Sequence, residues 1–367
     1  MKILNWRTNM GRIAWGVLFL LLAGGLGVFA RPAMAEDEAS KQFKVDFGVG
    51  WDGCYRPGEW TPVDIGITSS LKDPMGGTLT LEAGQDSMTR MTITHPIVLT
   101  SKVRLHVPLV TKLAFGANNA DVSIRDDAGK TRWAYSYDLW SSTNTAKPAQ
   151  SVQGNEMLIG VVGRMSFHLA QLPDFASTAE NPTGQVWVKD KPISSLPWDW
   201  TGYAALDLLI LNNPDWDAIN PVQAEALGQW VSNGGRLLIV VGSTGLPANN
   251  PLIQSLPVRM GLRKTVTVTS LNSGSGHGTI KCESKDVLVH EMTLIPPIGW
   301  SMQTIAPAQL AAGPVGFGRV GVLAMDPSPL TDVSQADSAA LWTHWIRLAM
   351  SNSPRTIQHV PGGYNHD

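Results

Sequence analysis

The chain has 367 residues, of which 43% are hydrophobic and only 16% charged, with a formal net charge of −2. Such a slightly acidic balance excludes the cationic footprint that nucleic acid or anionic lipid requires. With 14 tryptophans among so few charges, the composition suits a well-packed exported protein rich in β-structure.

Lys2, Arg7 and Arg12 open the chain, residues 13–30 are uncharged and largely apolar, and Ala33-Met34-Ala35 has the small-x-small pattern of a cleavage site. The spacing predicts a signal peptide over 1–35 and export to the periplasm or cell envelope. The alternative is an uncleaved anchor, because about 18 apolar residues just span a bilayer. Gly24, Gly25, Gly27, Pro32 and the switch to Glu36-Asp37-Glu38 favour cleavage. Loss of Lys2, Arg7, Arg12 and Arg31 takes the formal charge to about −6, further from any nucleic-acid partner. The remainder, about 330 residues, suffices for two domains. Cys54 and Cys282 are the only cysteines. An oxidising compartment permits a bridge between them, and two buried free thiols are the alternative.

Residues 36–142 read as an all-β unit. Phe43, Val45, Phe47 and Val49 alternate, as do Val63, Ile65 and Ile67, then Val103, Leu105, Val107 and Leu109, so each run has one face to bury. Asp73-Pro74, Gly76-Gly77 and Asp127-Ala128-Gly129 supply turns, the last inside a hairpin of 121–125 with 132–137. Short strands at this spacing predict an antiparallel β-sandwich of immunoglobulin-like type. Trp51, Tyr55 and Trp60 cluster near one loop and are candidates for a partner-binding surface, or for stacking on sugar rings. Core packing is the competing reading.

Residues 143–155 are polar and aperiodic and read as a linker. Beyond them come runs that are apolar at nearly every position, at 157–162, 206–211, 237–241 and 320–325. Strands covered on both faces look like this and belong to parallel sheets. The expected architecture over 156–350 is a flavodoxin-like parallel sheet flanked by helices. Asn220, Pro221 and Gln223 form a helix start, and Val222, Ala226, Leu227, Trp230 and Val231 form its apolar stripe. Gly234-Gly235 ends it. Val266–Val268 and residues 279–282, around the glycine-serine loop 272–278, predict a small β insertion. A closing helix is expected at 341–350, and a flexible tail over 351–367.

These segments resemble a known arrangement. ALDLLILNN, PVQAEALGQWVSNGGRLLIVVG, GFGRVGVLAMDPSPL and LWTHWIRL are similar, in order, to the class I glutamine amidotransferase-like domain of exported or membrane-attached bacterial proteins. WDGCYRPGEWTPVDIGI with the later GGTLTL resembles the β-sandwich that often precedes it. Catalytic members carry a cysteine at the turn after the strand matching 237–241, with a His and Glu near the domain end. Ser243 occupies that turn here and no His-x-Glu pair follows, so the resemblance does not carry glutaminase activity over.

Other motifs are incomplete. Around Ser243 the Gly-x-Ser-x-Gly elbow has Val241 where its first glycine belongs. His290-Glu291 begins like a zinc-protease helix, but Leu294 stands where the second histidine is required. Gly316-Phe317-Gly318-Arg319-Val320-Gly321 fits a dinucleotide pattern but precedes a strand instead of a helix, so it reads as a turn. No cofactor or metal is expected.

Position supplies the remaining candidates. Parallel sheets present ligands beyond their carboxyl ends, where Arg164, Ser166, His168, Asn212, Ser243, Thr244 and Asp326 fall. Arg164 suits an anion, Asn212 and Ser243 a hydrogen-bonding ligand. The leading expectation is a non-catalytic envelope protein that binds or assembles with another envelope component, such as a membrane protein. The alternatives are a hydrolase using the strand-end cleft and a carbohydrate-binding module in the sandwich.

Overall fold

Period-two alternation in the front half becomes seven long strands: β1 (Phe43–Val49), β2 (Trp60–Ser69), β3 (Met75–Gly84), β4 (Arg90–Leu99), β5 (Arg104–Lys112), β6 (Asn119–Asp126) and β7 (Thr131–Asp138). The structure, a computed structural model, describes residues 42–360 except 87, 142–146, 180, 244, 274–277, 296–297 and 351–356. The expected signal peptide and the end of the tail lie outside the described residues. The strands form two antiparallel sheets, β1-β2-β5 and β4-β3-β6-β7. Both contribute to one core, with Ile65 and Ile67 of β2 among Leu79, Leu81, Val122 and Ile124 of the other sheet. The expected hairpin is β6–β7, and Gly129, at φ 79°, takes the left-handed conformation its turn needs.

The polar segment expected to be a linker is partly woven in. Gln150–Ser151 pairs in parallel with Cys54–Tyr55, and Ala149 and Val152 are buried.

The back half contains β8 (Met157–Gly163), β9 (Val186–Asp190), β10 (Leu208–Asn212), α1 (Pro221–Ser232), β11 (Arg236–Val240), β12 (Val258–Asn272), β13 (Thr279–Leu294), β14 (Ser301–Ile305), β15 (Ala308–Val315), β16 (Gly318–Leu323) and α2 (Gln335–Met350). Its main sheet runs β9-β8-β10-β11-β16-β15-β14. The first five strands are mutually parallel. β15 and β14 are antiparallel, so the sheet is mixed, where the sequence predicts a purely parallel one. The β15–β16 hairpin turns at Gly316 (φ 60°), which is the turn expected of the Gly-Phe-Gly segment.

Both faces of this sheet are covered, which is why its strands read as continuous apolar runs. Leu158, Leu209, Leu211, Leu237 and Ile239 pack with Leu227, Trp230 and Val231 of α1. Ile159, Val161, Ile210, Leu238 and Val240 pack with Leu341, Trp342 and Trp345 of α2. β12 and β13 pair with each other as a ribbon much longer than the predicted insertion, and β13 also bridges the segment after β16 through Val289 and Met325. Its Val268, Leu271, Ile280, Val287 and Val289 join the α2 side. Cys54 lies in the core on the α1 side and Cys282 packs on the opposite one. Both thiols are free, and the expected tail pairs back at Ile357–His359 with Ala176–Thr178.

α1 forms where its local signals place it. The Asn220 side chain accepts from Gln223 N at 2.9 Å, and Gln223 Oε1 accepts from Asn220 N at 3.1 Å, a reciprocal capping box. Val222, expected in the buried stripe, is instead 52% exposed, because Gln223 turns inward to donate to the Ile193 and Leu196 carbonyls. Asn220→Ala is expected to cost about 1 kcal/mol, read as a lowered denaturation midpoint with an unchanged far-UV circular dichroism spectrum.

Candidate functional site

The candidate residues meet unequally at the carboxyl ends of β8, β10 and β11. Gly163 ends β8 at φ 104°, and a Cβ there would stand 2.3 Å from the Asn212 carbonyl oxygen. Glycine therefore lets the ends of β8 and β10 approach. Arg164 N donates to Asn212 O at 2.9 Å, and Asn212 Nδ2 donates to Arg164 O at 2.6 Å and Ser166 Oγ at 3.4 Å. Asn212 thus ties Arg164 and Ser166 together. It is fully buried, however, so it organises the loop and does not face a ligand. Its Oδ1 is buried without a partner.

Asn213 follows at φ 45°, a costly conformation for a residue other than glycine. Its side chain lies where a Cβ on Gly242 would be. The turn after β11 is then held from the ribbon. His290 Nε2 lies 2.8 Å from Gly242 O, and because a carbonyl only accepts, Nε2 carries the proton. Arg263 Nη1 donates to Ser243 O at 2.8 Å. His290 and Arg263 escape sequence reasoning because they reach the turn through folding of the ribbon. A histidine set inside the strand run LVHEM was the one available signal.

A cleft of about 490 Å³ opens over these ends, lined by Arg164, Asn213, Asp215, Trp216, Asp217 and Ser243 among others. Its walls thus carry both signs of charge. Among the described residues the Ser243 hydroxyl has no hydrogen bond to a histidine or carboxylate.

The other candidates stand apart. His168 contacts Ser338 Oγ at 3.2 Å and lines a separate cavity of about 260 Å³ with Gln171, Ser328 and Thr331. Asp326 is buried and accepts from Ser328 N at 3.0 Å, a turn cap away from the cleft lining. Thr244 lies outside the described residues. Trp51 and Tyr55 are fully buried and so do not form the expected partner surface. Trp60 is half-buried under Lys112 Nζ, 5.1 Å from its ring centroid. Among the described residues no group of three or more His, Cys, Asp or Glu is placed to hold a metal, and no helix is long and apolar enough to cross a membrane. Burial pushes the Cys54 thiol up to about 11, with Lys189 opposing it, so it is protonated at neutral pH and unreactive.

The model of a domain of unknown function, DUF8726, matches residues 42–139, the two front sheets. No curated protein matches. Among solved structures, the alkylpurine DNA glycosylase AlkC of Pseudomonas fluorescens is 10% identical with a TM-score of 0.21, covering 26% of this chain and 30% of that one. R. palustris CsgH is 11% identical with a TM-score of 0.19, covering 26% and 91%. A Paenibacillus sp. cycloisomaltooligosaccharide glucanotransferase is 11% identical with a TM-score of 0.21, covering 53% and 28%. The chain therefore spans under a third of the AlkC and glucanotransferase chains. Likenesses this slight carry no argument about activity.

Proposed function

We propose that this chain is an exported cell-envelope protein that binds and does not catalyse. In this reading an immunoglobulin-like sandwich precedes a flavodoxin-like, class I glutamine amidotransferase-like domain, whose cleft takes part in assembly with another envelope component. Numbered along the chain, the five parallel strands lie in the order 2-1-3-4-5, which favours the flavodoxin-like description. The observation that carries the functional reading is the turn after β11. Catalytic relatives set their cysteine there, whereas this chain sets Ser243 with neither base nor acid at its hydroxyl among the described residues. The nearby His290 directs its Nε2 proton to the Gly242 carbonyl, so that nitrogen cannot accept a proton from a nucleophile.

Esterase and amidase turnover measured for the purified protein and for Ser243→Ala is expected to be equal and at background. Serine-dependent turnover would replace this reading with the hydrolase. Amino-terminal sequencing of the envelope form is expected to begin at Glu36. Crosslinking in intact envelopes is expected to capture a protein partner that Arg164→Ala releases. Retention of that partner by Arg164→Ala would remove the cleft from the interface.

A further inference from the structure

Where the front sheets meet the back half, four polar side chains form a cluster that the proposed function does not use. Lys191, 4% exposed, follows β9 and donates its ammonium to Gly50 O at 3.0 Å and to Asp64 Oδ2 on β2. Its Nζ also stands 5.7 Å from the Trp51 ring centroid. His106 on β5 places Nε2 3.3 Å from the hydroxyl of Ser195, in the short helical turn Ile193–Ser195. Both contacts cross between halves, from β2 and β5 on one side to residues 191–195 on the other.

Two atoms in this cluster are buried and unpartnered: Asp64 Oδ1 and His106 Nδ1. Buried polar atoms are nearly always bonded, so a pair left open on neighbouring strands marks a place where protonation changes the contacts. The charged groups acting on the imidazole are Asp64 from β2, Arg104 on β5 itself and Lys191 from the back half. Arg104 is partly occupied by Asp46 of β1, at 3.0 Å.

We propose that the Lys191–Asp64–His106–Ser195 cluster is a pH-sensitive fastening between the two halves of the protein. While His106 is neutral, Lys191 holds Asp64 alone and the Ser195 hydroxyl can donate to Nε2. Protonation turns Nε2 into a donor, so the Ser195 hydroxyl must turn round to accept from it. It also puts a third cation, half-buried, near Lys191 and Arg104, whose repulsion and the burial oppose the attraction of Asp64. The cross-half contacts weaken, and residues 191–195 loosen from β2 and β5. This inference stands whether or not the strand-end cleft binds a partner.

Burial, the larger influence, lowers the His106 pKa below its usual 6.5, and Arg104 and Lys191 add to it against the opposing charge of Asp64. The folded protein therefore binds the proton less readily than the unfolded chain. The fastening is at full strength above about pH 6.5 and is lost as pH falls below it. His344 is shifted in the same direction by its own burial and by Arg347, so the test must separate the two histidines.

Hydrogen exchange read by mass spectrometry at pH 7.5 and 5.5, corrected for intrinsic exchange rates, makes that separation on the full mature chain. Wild type and His344→Gln are expected to lose protection over residues 191–196 at the lower pH, and His106→Gln is expected to show no such loss. A wild type that keeps its protection, or a His106→Gln protein that loses it equally, overturns the proposal. Asp64→Asn keeps the imidazole and removes the charge that favours its protonation. The midpoint of the opening should then move to lower pH, and an unmoved midpoint also overturns the proposal.

Discussion

Asp207→Ala is expected to destabilise the protein by about 3–5 kcal/mol, read as a fall in the urea midpoint of the mature chain. Asp207 Oδ2 accepts from Arg56 Nη2 at 2.7 Å and from Leu158 N at 2.8 Å, with side-chain exposures of 10% for Arg56 and 4% for Asp207. The guanidinium also donates to the carbonyls of Gln153, Glu156 and Ala205. Arg56 thus arrives from the front half and is bonded almost entirely by the back half. Alanine would leave this cation buried with carbonyls alone, and would strip the β8 amide of its acceptor. The large cost belongs to the broken pair. An ion pair buried this deeply adds little over well-packed apolar side chains of similar volume where no other group depends on it. Arg56→Leu combined with Asp207→Leu is therefore expected to recover only part of the loss, because the Leu158 amide and the Gln153, Glu156 and Ala205 carbonyls still lose their partners. If Asp207→Ala costs under about 1 kcal/mol, the pair is solvated and does not join the halves.

The parts of this fold that were legible in the sequence are those whose causes are local. The capping box of α1 lies within four residues, and the strands β8, β10, β11 and β16 announce themselves by apolar runs that follow from burial on both faces. The edges were not legible for the converse reason. β9 carries Lys189 and Asp190, and four of the five residues of β14 are exposed, so neither has the pattern of a covered strand. The candidate site divides in the same way. Arg164, Asn212 and Ser243 follow from being at strand ends, whereas His290 is 48 residues from the carbonyl it bonds. Asp326 and His168 also follow strand ends, yet they point to their own caps and cavity. Strand-end position says which loop a residue joins but not which way its side chain turns.

Trp51 shows how far that limit reaches, and Trp51→Ala is expected to cost about 3–5 kcal/mol without any partner being present. An aromatic residue near a loop has two readings, contact surface or core, and composition does not decide between them. The fold decides through Gly160. This glycine interrupts the apolar run of β8, and a Cβ there would stand 2.9 Å from two carbons of the Trp51 ring. The indole of the front half therefore packs against β8 of the back half, with Tyr203 at 5.8 Å between ring centroids and Lys191 Nζ beside it. A glycine inside a strand often marks a close approach. Here the approaching group sits more than a hundred residues earlier, so no local pattern around Gly160 points to it. Alanine at 51 would leave a cavity walled by both halves and would take away the ring that Lys191 faces. Gly160→Ala attacks the same contact from the other side and is expected to be costly in the wild type. In the Trp51→Ala background the added methyl enters space the indole has vacated, so the two changes should couple by about 1 kcal/mol or more. Strictly additive losses would mean that the ring and the strand do not touch. A Trp51→Ala protein with an unchanged melting temperature and a lost binding partner would return Trp51 to the surface.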